Sequence, residues 1–374
     1  MSKAQRLLAA TATVSAFLLS SFCRCVPDGL FKHPSTTTPE QLGDGWETAA
    51  PESVDLDPDS LDKVMDEVSV EDRYLNVLAL LVARRGRLVF ETYLRKPEDR
   101  DQYHHIMSVT KSVTSLGTGL AFGHGLSSNI DTALYAYLPD EFDADPRKRE
   151  ITIRHLLTMR SGLLFDNSDF SIEIFANRPD DEIAYILAKP LYADPGDSFY
   201  YRDCDPQLLS CAIERATGQT LAELVHDGIF TPLGIADYYW EHTRAGHTSG
   251  AMALHLRARD MAKLGQLVLQ RGAWQGEQLV PAAWVDSATA PQTTVPEEEE
   301  HGWSYGYYWW IVPRFNGFTA WGSGGQYILV VPDKELVIVM VSMPDVSGDA
   351  GVPTKLDGFE DLVAPIVNGC GSRS

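Results

Sequence analysis

Two segments of the sequence place a lysine three residues after a serine, a spacing that could support nucleophilic catalysis. Residues 108–111 (SVTK) open an apolar stretch, whereas residues 60–63 (SLDK) lie in an amphipathic one. In a helix this spacing puts the lysine ammonium beside the serine hydroxyl. Such a lysine can move the proton that a serine nucleophile must lose, and the helix N-terminus favours a developing oxyanion. The spacing alone does not choose between Ser108 and Ser60.

The elements that must position these residues are strand-like at both ends of the chain and helical in between. Strands at both ends with helices inserted predict an α/β (α+β) fold, with one antiparallel sheet formed by both chain ends, flanking helices and an inserted all-helical subdomain. A hairpin is expected around Arg84-Arg85-Gly86, and another around Pro332-Asp333. The predicted strands cover residues 76–83, 88–93, 305–312, 326–331 and 336–342.

Helical spacing of apolar residues marks the middle of the chain and one segment before it. Asp205 is a plausible cap for one of these helices, with Pro206 in its first turn. Cys204 and Cys211 lie on that helix, too far apart to form a disulfide. The predicted helices cover residues 60–68, 151–159, 205–217, 221–225 and 259–269, together with the helix that begins near Ser108.

The N-terminus is typical of a targeting segment. Lys3 and Arg6 precede an uncharged, Leu- and Ala-rich run over residues 7–23, which is short for a membrane span. We therefore predict a signal peptide over residues 1–25 and a secreted or periplasmic protein; an uncleaved membrane anchor or an organelle transit sequence are the alternatives. Residues 26–50 are predicted as a linker.

The rest of the chain, residues 51–374, is predicted to be one globular domain. Its α/β part comprises residues 51–107 and 300–374, and its mainly helical part comprises residues 108–299.

Composition restricts the function classes. The 374 residues carry a formal net charge of −21, which disfavours binding to nucleic acid or to anionic membranes. Membrane contact is therefore expected only through an uncleaved signal. The sequence contains no CxxC or HExxH motif, so we predict neither a metal nor an organic cofactor. The acidic run over residues 297–300 is interpreted as a solvated loop.

Six segments in a fixed order resemble the serine β-lactamase and penicillin-binding-protein superfamily, in particular its class C-like and esterase branches. The resemblance runs from about residue 53 to residue 342. The segments are IMSVTKS (106–112), ITIRHLLTMRSGL (151–163), PG (195–196) with YRD (201–203), ERATG (214–218), RDMAKLG (259–265) and GGQY (324–327).

The resemblance implies three catalytic residues. Ser108 would be the acylated nucleophile, Lys111 its proton partner, and Tyr201 the tyrosine of the YxN element that deprotonates the nucleophile and later helps to activate water. A shift of register would give the last role to Tyr200. A second YxN sequence, at residues 74–76, precedes the nucleophile and is interpreted as structural.

The sequence departs from the superfamily pattern at Asp203, where the family usually has asparagine. An ionised carboxylate only accepts hydrogen bonds, so Asp203 is expected to form an ion pair with Lys111 and to favour the charged lysine. It would also repel a substrate carbonyl to which asparagine could donate. Arg202 either offsets this charge or points to solvent.

The third element of the family departs further, since neither Lys-Thr-Gly nor Lys-Ser-Gly occurs. Counting back from the glycine pair places this element within residues 319–323, which contain Trp321, Gly322 and Ser323. These residues are predicted to contact substrate and to supply the second oxyanion N–H; a plain β-bulge would use the same glycines. The similar HTSG sequence at residues 247–250 precedes a helix and is not preferred.

Nearby aromatic and histidine residues are assigned mainly to structure. Most of Tyr305, Tyr307, Trp309, Trp310 and Trp321 should be core, although one or two could line an acyl pocket. The pair at residues 104–105 (HH) is interpreted as structural, as is the replacement of the usual His-Thr of the family by Met-Arg at residues 159–160.

These features predict a serine hydrolase that cleaves a small-molecule carboxylic ester or linear amide through an acyl-enzyme. The missing third-motif lysine favours an esterase or amidase, similar to the nylon-oligomer hydrolases. The alternatives are a cell-wall D-amino-acid peptidase, a β-lactamase, or a catalytically silent binding or sensor domain that keeps the fold.

Overall fold

Strands from both ends of the chain meet in one large sheet. The computed structural model describes residues 39–371, except 71–73, 75, 96, 143–144, 168–179 and 344–355. The strands are β1 (Glu47–Thr48), β2 (Val77–Arg84), β3 (Arg87–Tyr93), β4 (His104–His105), β5 (Tyr239–Trp240), β6 (Leu254–Leu256), β7 (Ala273–Trp274), β8 (Glu277–Gln278), β9 (Thr293–Thr294), β10 (Ser304–Tyr305), β11 (Trp310–Val312), β12 (Gly317–Gly322), β13 (Gln326–Val331) and β14 (Leu336–Ser342).

The α-helices of the described residues lie mostly between the two groups of strands. They are α1 (Pro58–Val70), α2 (Val109–Ala121), α3 (Ile153–Leu157), α4 (Glu182–Leu187), α5 (Cys204–Thr217), α6 (Leu221–Val225), α7 (Ala258–Leu269), α8 (Ala282–Ala288) and α9 (Leu356–Asn368). The predicted helices are all present, with ends that differ by a few residues.

The large sheet has the order β1-β3-β2-β14-β13-β12-β11-β10-β9. Strands from the two chain ends meet where β2 pairs with β14, antiparallel. All pairs of this sheet are antiparallel except β1 with β3. The predicted α/β (α+β) fold, with a sheet formed by both ends of the chain and helices inserted between them, is confirmed.

Two helices cover opposite faces of the sheet. Gly265 of α7 lies so close to β13 and β14 that a Cβ there would be 2.8 Å from Ile328 and 2.5 Å from Val337. Phe359 of α9 stacks on Tyr327 of β13, with ring centres 4.0 Å apart. Because adjacent strand residues point to opposite faces, Tyr327 and Ile328 place α9 and α7 on the two sides.

Helix α2 is the centre of the helical part, and each of its residues is buried. A Cβ at Gly117 would lie 2.6 Å from Leu221 and 2.9 Å from Val225, so the glycine permits the close approach of α6. The indole of Trp284, in α8, donates to the carbonyl oxygen of Ser115 at 2.8 Å. These contacts fix α2, and therefore its first turn, between the sheet and the other helices.

The strand predicted over residues 305–312 is wrong as a single element. The chain forms β10 and β11 instead, joined by a turn in which the N–H of Gly306 donates to the carbonyl oxygen of Trp309 at 2.8 Å. Tyr308 closes this turn with a φ of 65°, which is uncommon for a bulky residue. The turn was not predicted because a run of aromatic residues is typical of a continuous strand. Helix α9 was not predicted from the sequence either.

The linker predicted over residues 26–50 is also wrong for its described part. Trp46 is buried, and its indole donates to the carbonyl oxygen of Arg259 in α7 at 3.3 Å. Glu47 and Thr48 then pair with β3. A buried tryptophan and a paired strand make this segment part of the globular domain. Residues 26–38, like the predicted signal peptide over residues 1–25, lie outside the described residues.

Among the residues that the structure describes, no helix combines the length and apolar character needed to cross a membrane.

The second serine–lysine pair lies in α1, where the Ser60 hydroxyl donates to the carbonyl oxygen of Asp57 at 2.6 Å. Tyr74, of the second YxN sequence, is buried and donates to Glu67 at 2.9 Å. The second serine–lysine pair and the second YxN sequence therefore have structural roles.

Candidate active site

Ser108 lies at the start of α2, and Lys111 follows it by one helical turn. The N–H of Lys111 donates to the carbonyl oxygen of Ser108 at 3.0 Å, which closes the first turn. The Lys111 ammonium donates to the Ser108 hydroxyl oxygen at 2.8 Å. Met107, just before the serine, has a φ of 51°. This left-handed residue joins the preceding loop to the helix, and its strain lies next to the predicted nucleophile.

Lys111 is buried and held by three oxygen atoms. Besides the Ser108 hydroxyl, its ammonium contacts the Asp203 carboxylate at 2.6 Å and the carbonyl oxygen of Ala251 at 3.0 Å. Burial lowers the pKa of Lys111, but the charge of Asp203 and the interaction with Tyr201 outweigh it, so the pKa is raised. Lys111 is therefore an ammonium at neutral pH. The expected ion pair with Asp203 is confirmed.

Tyr201 is the third member of this cluster. The Lys111 ammonium lies 4.9 Å from the centre of the Tyr201 ring. On its other sides the ring stacks on Trp310 at 5.8 Å and meets the edge of Tyr305 at 6.1 Å, measured between ring centres. Tyr200, the alternative from a shifted register, is instead 45% exposed. The structure thus brings Tyr201, rather than Tyr200, to the Ser108–Lys111 pair.

Asn167 connects the backbone on both sides of Arg202, a contact that was not predicted from the sequence. Its side-chain oxygen accepts from the N–H of Asp203 at 2.8 Å, and its amide donates to the carbonyl oxygen of Tyr201 at 3.4 Å. Asn167 therefore holds the segment that presents both Tyr201 and Asp203. It lies 34 residues before Tyr201 in the chain, and no motif distinguishes it.

Neither expectation for Arg202 is correct, since it is fully buried and does not point to solvent. Its guanidinium donates to the carbonyl oxygens of Tyr200, at 2.8 Å, and Leu163. The same group stacks between the rings of Tyr192 and Tyr200, at 5.0 Å from each centre. The charge that acts on it most is that of Asp205, not Asp203. Arg202 thus connects the segment before α5 to the residues around Leu163.

Asp205 is not the cap of α5. The helix begins at Cys204 with Asp203 preceding it, so Asp205 already lies in the first turn. Its buried carboxylate accepts from the hydroxyl of Ser161 at 2.6 Å and from the N–H of Ser161 at 3.4 Å. Burial raises the pKa of Asp205, although the charge of Arg202 acts in the opposite direction. Asp205 therefore joins the segment over residues 151–163 to α5.

The end of β12 lies against the residues that precede Ser108. A Cβ at Gly322 would be 2.5 Å from the carbonyl oxygen of Ile106 and 3.1 Å from Met107. β12 pairs with β13 through residue 322, but with β11 only over residues 317–319. The backbone edge at residues 320–322 is therefore not paired with β11. Ser323 follows it in an exposed position, and the Trp321 ring meets Trp310 with ring centres 5.1 Å apart.

The two histidines before Ser108 form strand β4, and His105 contacts the segment that contains Ala253 and His255. The ring of His105 stacks on His255 and accepts from the N–H of Ala253 at 2.9 Å. Burial, together with His255, lowers the pKa of His105 to about 4. A neutral ring is needed to accept this bond, in agreement with the structural interpretation. The same loop carries the Ala251 carbonyl that holds Lys111, a backbone contact for which the sequence gives no signal.

The beta-lactamase family model matches residues 62–355, which is most of the chain. The chain belongs to the beta-lactamase family. Esterase EstB of Burkholderia gladioli is 29% identical over 199 residues, covering 47% of this chain and 50% of the esterase. The 6-aminohexanoate-dimer hydrolase of Paenarthrobacter ureafaciens is 25% identical over 288 residues, covering 69% of this chain and 70% of that enzyme. The match to the esterase thus spans only half of its length.

The fold has close relatives among solved structures. The octameric penicillin-binding protein homologue from Pyrococcus abyssi superposes with a TM-score of 0.66 and 20% identity, covering 82% of this chain and 77% of that one. The fold is therefore that of β-lactamases and transpeptidases, as predicted. Membership of this family, with relatives named as esterases and amide hydrolases, makes the protein a serine hydrolase.

Proposed function

We propose that the protein hydrolyses a small-molecule carboxylic ester or linear amide through an acyl-enzyme on Ser108. The observation that carries the proposal is the 2.8 Å hydrogen bond from the Lys111 ammonium to the Ser108 hydroxyl oxygen at the start of α2. This bond stabilises negative charge on the oxygen as it loses its proton. The names of the two relatives described above support the choice of ester and amide substrates.

In the first step, the Ser108 oxygen attacks the carbonyl carbon and its proton must leave. Lys111 cannot take this proton at neutral pH, because the ion pair with Asp203 keeps it charged. Tyr201 lies beside the same ammonium, and we assign its phenolate as the proton acceptor, which leaves this step as the neutral phenol and then protonates the leaving group. Collapse of the tetrahedral intermediate expels the alcohol or amine, which receives the proton.

The oxyanion formed in this step requires two N–H donors. We assign one to Ser108, at the N-terminus of a buried helix, and the other to the unpaired edge of β12 at Trp321, Gly322 or Ser323. Gly322 supports this assignment because it lets β12 approach the backbone of Ile106 and Met107. In the second step, water attacks the acyl carbon with Tyr201 as base, which restores Ser108.

The character of the site favours esters and linear amides over substrates that carry a carboxylate. β12 bears no lysine or histidine to bind a carboxylate, and Asp203 adds a negative charge beside the nucleophile. The aromatic rings of Tyr201, Trp310 and Trp321 follow one another at 5.8 and 5.1 Å between ring centres. Rings in this position can contact an apolar acyl group.

A fluorophosphonate probe tests the nucleophile. We expect wild-type protein to gain one covalent adduct by intact mass, and Ser108→Ala to gain none. Ser60→Ala is the matched control, because it removes the serine of the other serine–lysine pair. Labelling that persists in Ser108→Ala would contradict the assignment of the nucleophile. Absence of labelling in wild-type protein would favour the silent-domain alternative.

The substrate class needs a separate measurement. Rates should be compared for p-nitrophenyl esters of increasing chain length, a linear amide, nitrocefin and a D-Ala-D-Ala peptide. We expect turnover of the esters or the amide and little of the other two. Preference for nitrocefin or the peptide would overturn the substrate proposal while leaving the nucleophile in place.

We further propose that the protein is secreted or periplasmic. The support is the basic and then apolar pattern of residues 1–25. Expression of the full chain followed by N-terminal peptide mapping of the exported fraction tests this. A mature N-terminus near residue 25 is expected, and full-length protein confined to the cytoplasm would contradict the proposal.

A further inference from the structure

A second cluster of reactive side chains lies in the helical part, away from Ser108. Glu182 opens α4, Cys211 lies in the middle of α5, and His247 precedes the loop residue Ala251. One potential ligand atom from each of the three lies within 4.8 Å of the other two. Along the axis of α5, Cys211 is about 12 Å from Asp203. The cluster is thus separate from the predicted catalytic residues.

Each of the three side chains is oriented by a partner that leaves a ligand atom available. The Thr243 hydroxyl donates to Glu182 Oε1 at 2.6 Å. Glu182 Oε2 is buried and has no hydrogen-bond partner among the described residues. His247 Nδ1 lies 2.8 Å from Glu214, so a proton on Nδ1 leaves the lone pair of Nε2 for a metal. Cys211 is a free cysteine, and its sulfur has only a long contact of 3.8 Å with Gln207.

Two carboxylates and a thiol meet around the cluster. Glu182 is 1% exposed, and a buried carboxylate normally requires a cation or several donors. Glu214 adds a second carboxylate through its contact with His247. The neighbouring Arg215 is turned toward Glu141, which it contacts at 2.8 Å. A divalent cation would compensate the negative charges that face one another here.

We propose that Glu182, Cys211 and His247 bind a divalent cation of the Zn²⁺ class, with Glu214 orienting the histidine. Thiolate, imidazole and carboxylate are the ligand types that Zn²⁺ combines, and a carboxylate on the second ring nitrogen is a frequent outer partner. Tetrahedral Zn²⁺ separates its ligand atoms by about 3.3–3.8 Å, so modest side-chain rotation completes the site. On binding, the Cys211 thiol forms the metal–sulfur bond and releases its proton to water.

The position of the cation gives it a structural role. It would join α4, α5 and the 241–250 loop at one point. Asp203 lies at the start of α5, and Ala251 follows the loop, so two of the three oxygen partners of Lys111 are attached to elements that the cation would hold. No metal motif is visible in the sequence because the three ligands come from separate elements. Binding of the cation is independent of the hydrolytic reaction proposed for Ser108.

Metal content and Co²⁺ spectroscopy test the site on the purified full chain. After chelator treatment and removal of the chelator, we expect one equivalent of added Zn²⁺ to be retained and to raise the melting temperature. Co²⁺ should give a thiolate-to-cobalt charge-transfer band that requires Cys211. Cys211→Ala should lose the band and the retained Zn²⁺, whereas Cys370→Ala, which removes a buried cysteine in another region, should lose neither.

Two further variants keep the test decisive if Cys211→Ala folds poorly. His247→Asn should abolish retention of Zn²⁺, and Glu214→Gln should weaken Zn²⁺ binding by about 10–100-fold, the range for an outer partner. Fluorophosphonate labelling of Ser108 in each variant shows whether the fold and the active site are intact, and this readout is separate from metal binding. Wild-type protein that retains no Zn²⁺ and shows no thiolate band, or variants that bind as wild type does, would overturn the proposal.

Discussion

The Asp203 carboxylate lies 2.6 Å from the Lys111 ammonium, at the position of the asparagine in the YxN pattern to which residues 201–203 were compared above. This contact converts a neutral hydrogen-bonding site into a buried ion pair. The pair keeps a positive charge on the lysine that contacts Ser108, which is why the proposal gives the serine proton to another residue. The choice of Tyr201 as base therefore depends directly on Asp203.

Replacing Asp203 with asparagine should shift the pH profile of hydrolysis. Without the carboxylate charge, the buried Lys111 loses its proton at lower pH, so the alkaline limb of kcat/KM should move to lower pH. The measurement is kcat/KM for a p-nitrophenyl ester across the pH range, with correction for spontaneous hydrolysis. Asp197→Asn, at an exposed position in the same segment, is the control. Identical profiles for wild type and Asp203→Asn would refute the electrostatic role.

The same substitution should change stability in a way that depends on pH. The pKa of Lys111 is raised above its ordinary value of 10.5 in the folded protein. Its pairing therefore stabilises the fold below that pH, and the contribution is lost as the pH rises through the raised pKa. We expect Asp203→Asn to lower the free energy of unfolding by about 1–3 kcal/mol near neutral pH, with the difference shrinking at strongly alkaline pH. Urea titrations at several pH values measure this, and a constant difference would contradict it.

Lys111→Ala and Tyr201→Phe should each reduce kcat by about 100-fold or more. The first change removes the ammonium that stabilises charge on the Ser108 oxygen, and the second removes the proposed base. Tyr200→Phe is the matched control for the tyrosine, since Tyr200 is exposed and its ring stacks on Arg202 instead. Stopped-flow acylation rates separate the first step from hydrolysis of the acyl-enzyme. A variant with a rate near that of wild type would remove its residue from the mechanism.

Most of what the sequence predicted depends on local spacing. The Ser108–Lys111 contact follows from one helical turn, and the two hairpins follow from apolar runs around turn residues. The Lys111–Asp203 pair could also be predicted, because the family order places the two elements together and opposite charges attract. The prediction of one strand over residues 305–312 was wrong because Tyr308 adopts a left-handed conformation in a turn inside the aromatic run.

The contacts that could not be predicted come from backbone atoms or from isolated side chains distant along the chain. The Ala251 carbonyl that accepts from Lys111 has no side-chain signature. Asn167 belongs to no recognisable motif, and only the folded chain shows that it bridges Tyr201 and Asp203. Arg202 lies next to Asp203 in sequence, but in the folded chain the two side chains have different neighbours.

Asn167→Ala tests whether this bridge positions the catalytic segment. The change removes the acceptor of the Asp203 N–H and the donor to the Tyr201 carbonyl, so we expect kcat to fall by about 10-fold with little change in KM. Asn129→Ala is the control, because Asn129 makes a side-chain contact in an exposed loop away from Ser108. A purely structural role would instead lower stability and leave kcat of the folded protein unchanged.

Gly322→Ala tests the close approach of β12 to the backbone before Ser108. The added Cβ would lie 2.5 Å from the carbonyl oxygen of Ile106, so the strand or the loop must move. We expect a loss of about 1–3 kcal/mol in stability, as for other overpacked sites, and a fall in kcat/KM because the two proposed oxyanion donors separate. Gly123→Ala is the matched control, since its nearest neighbour would be 3.6 Å from the new Cβ. Wild-type kcat/KM in Gly322→Ala would show that the oxyanion site does not depend on this approach.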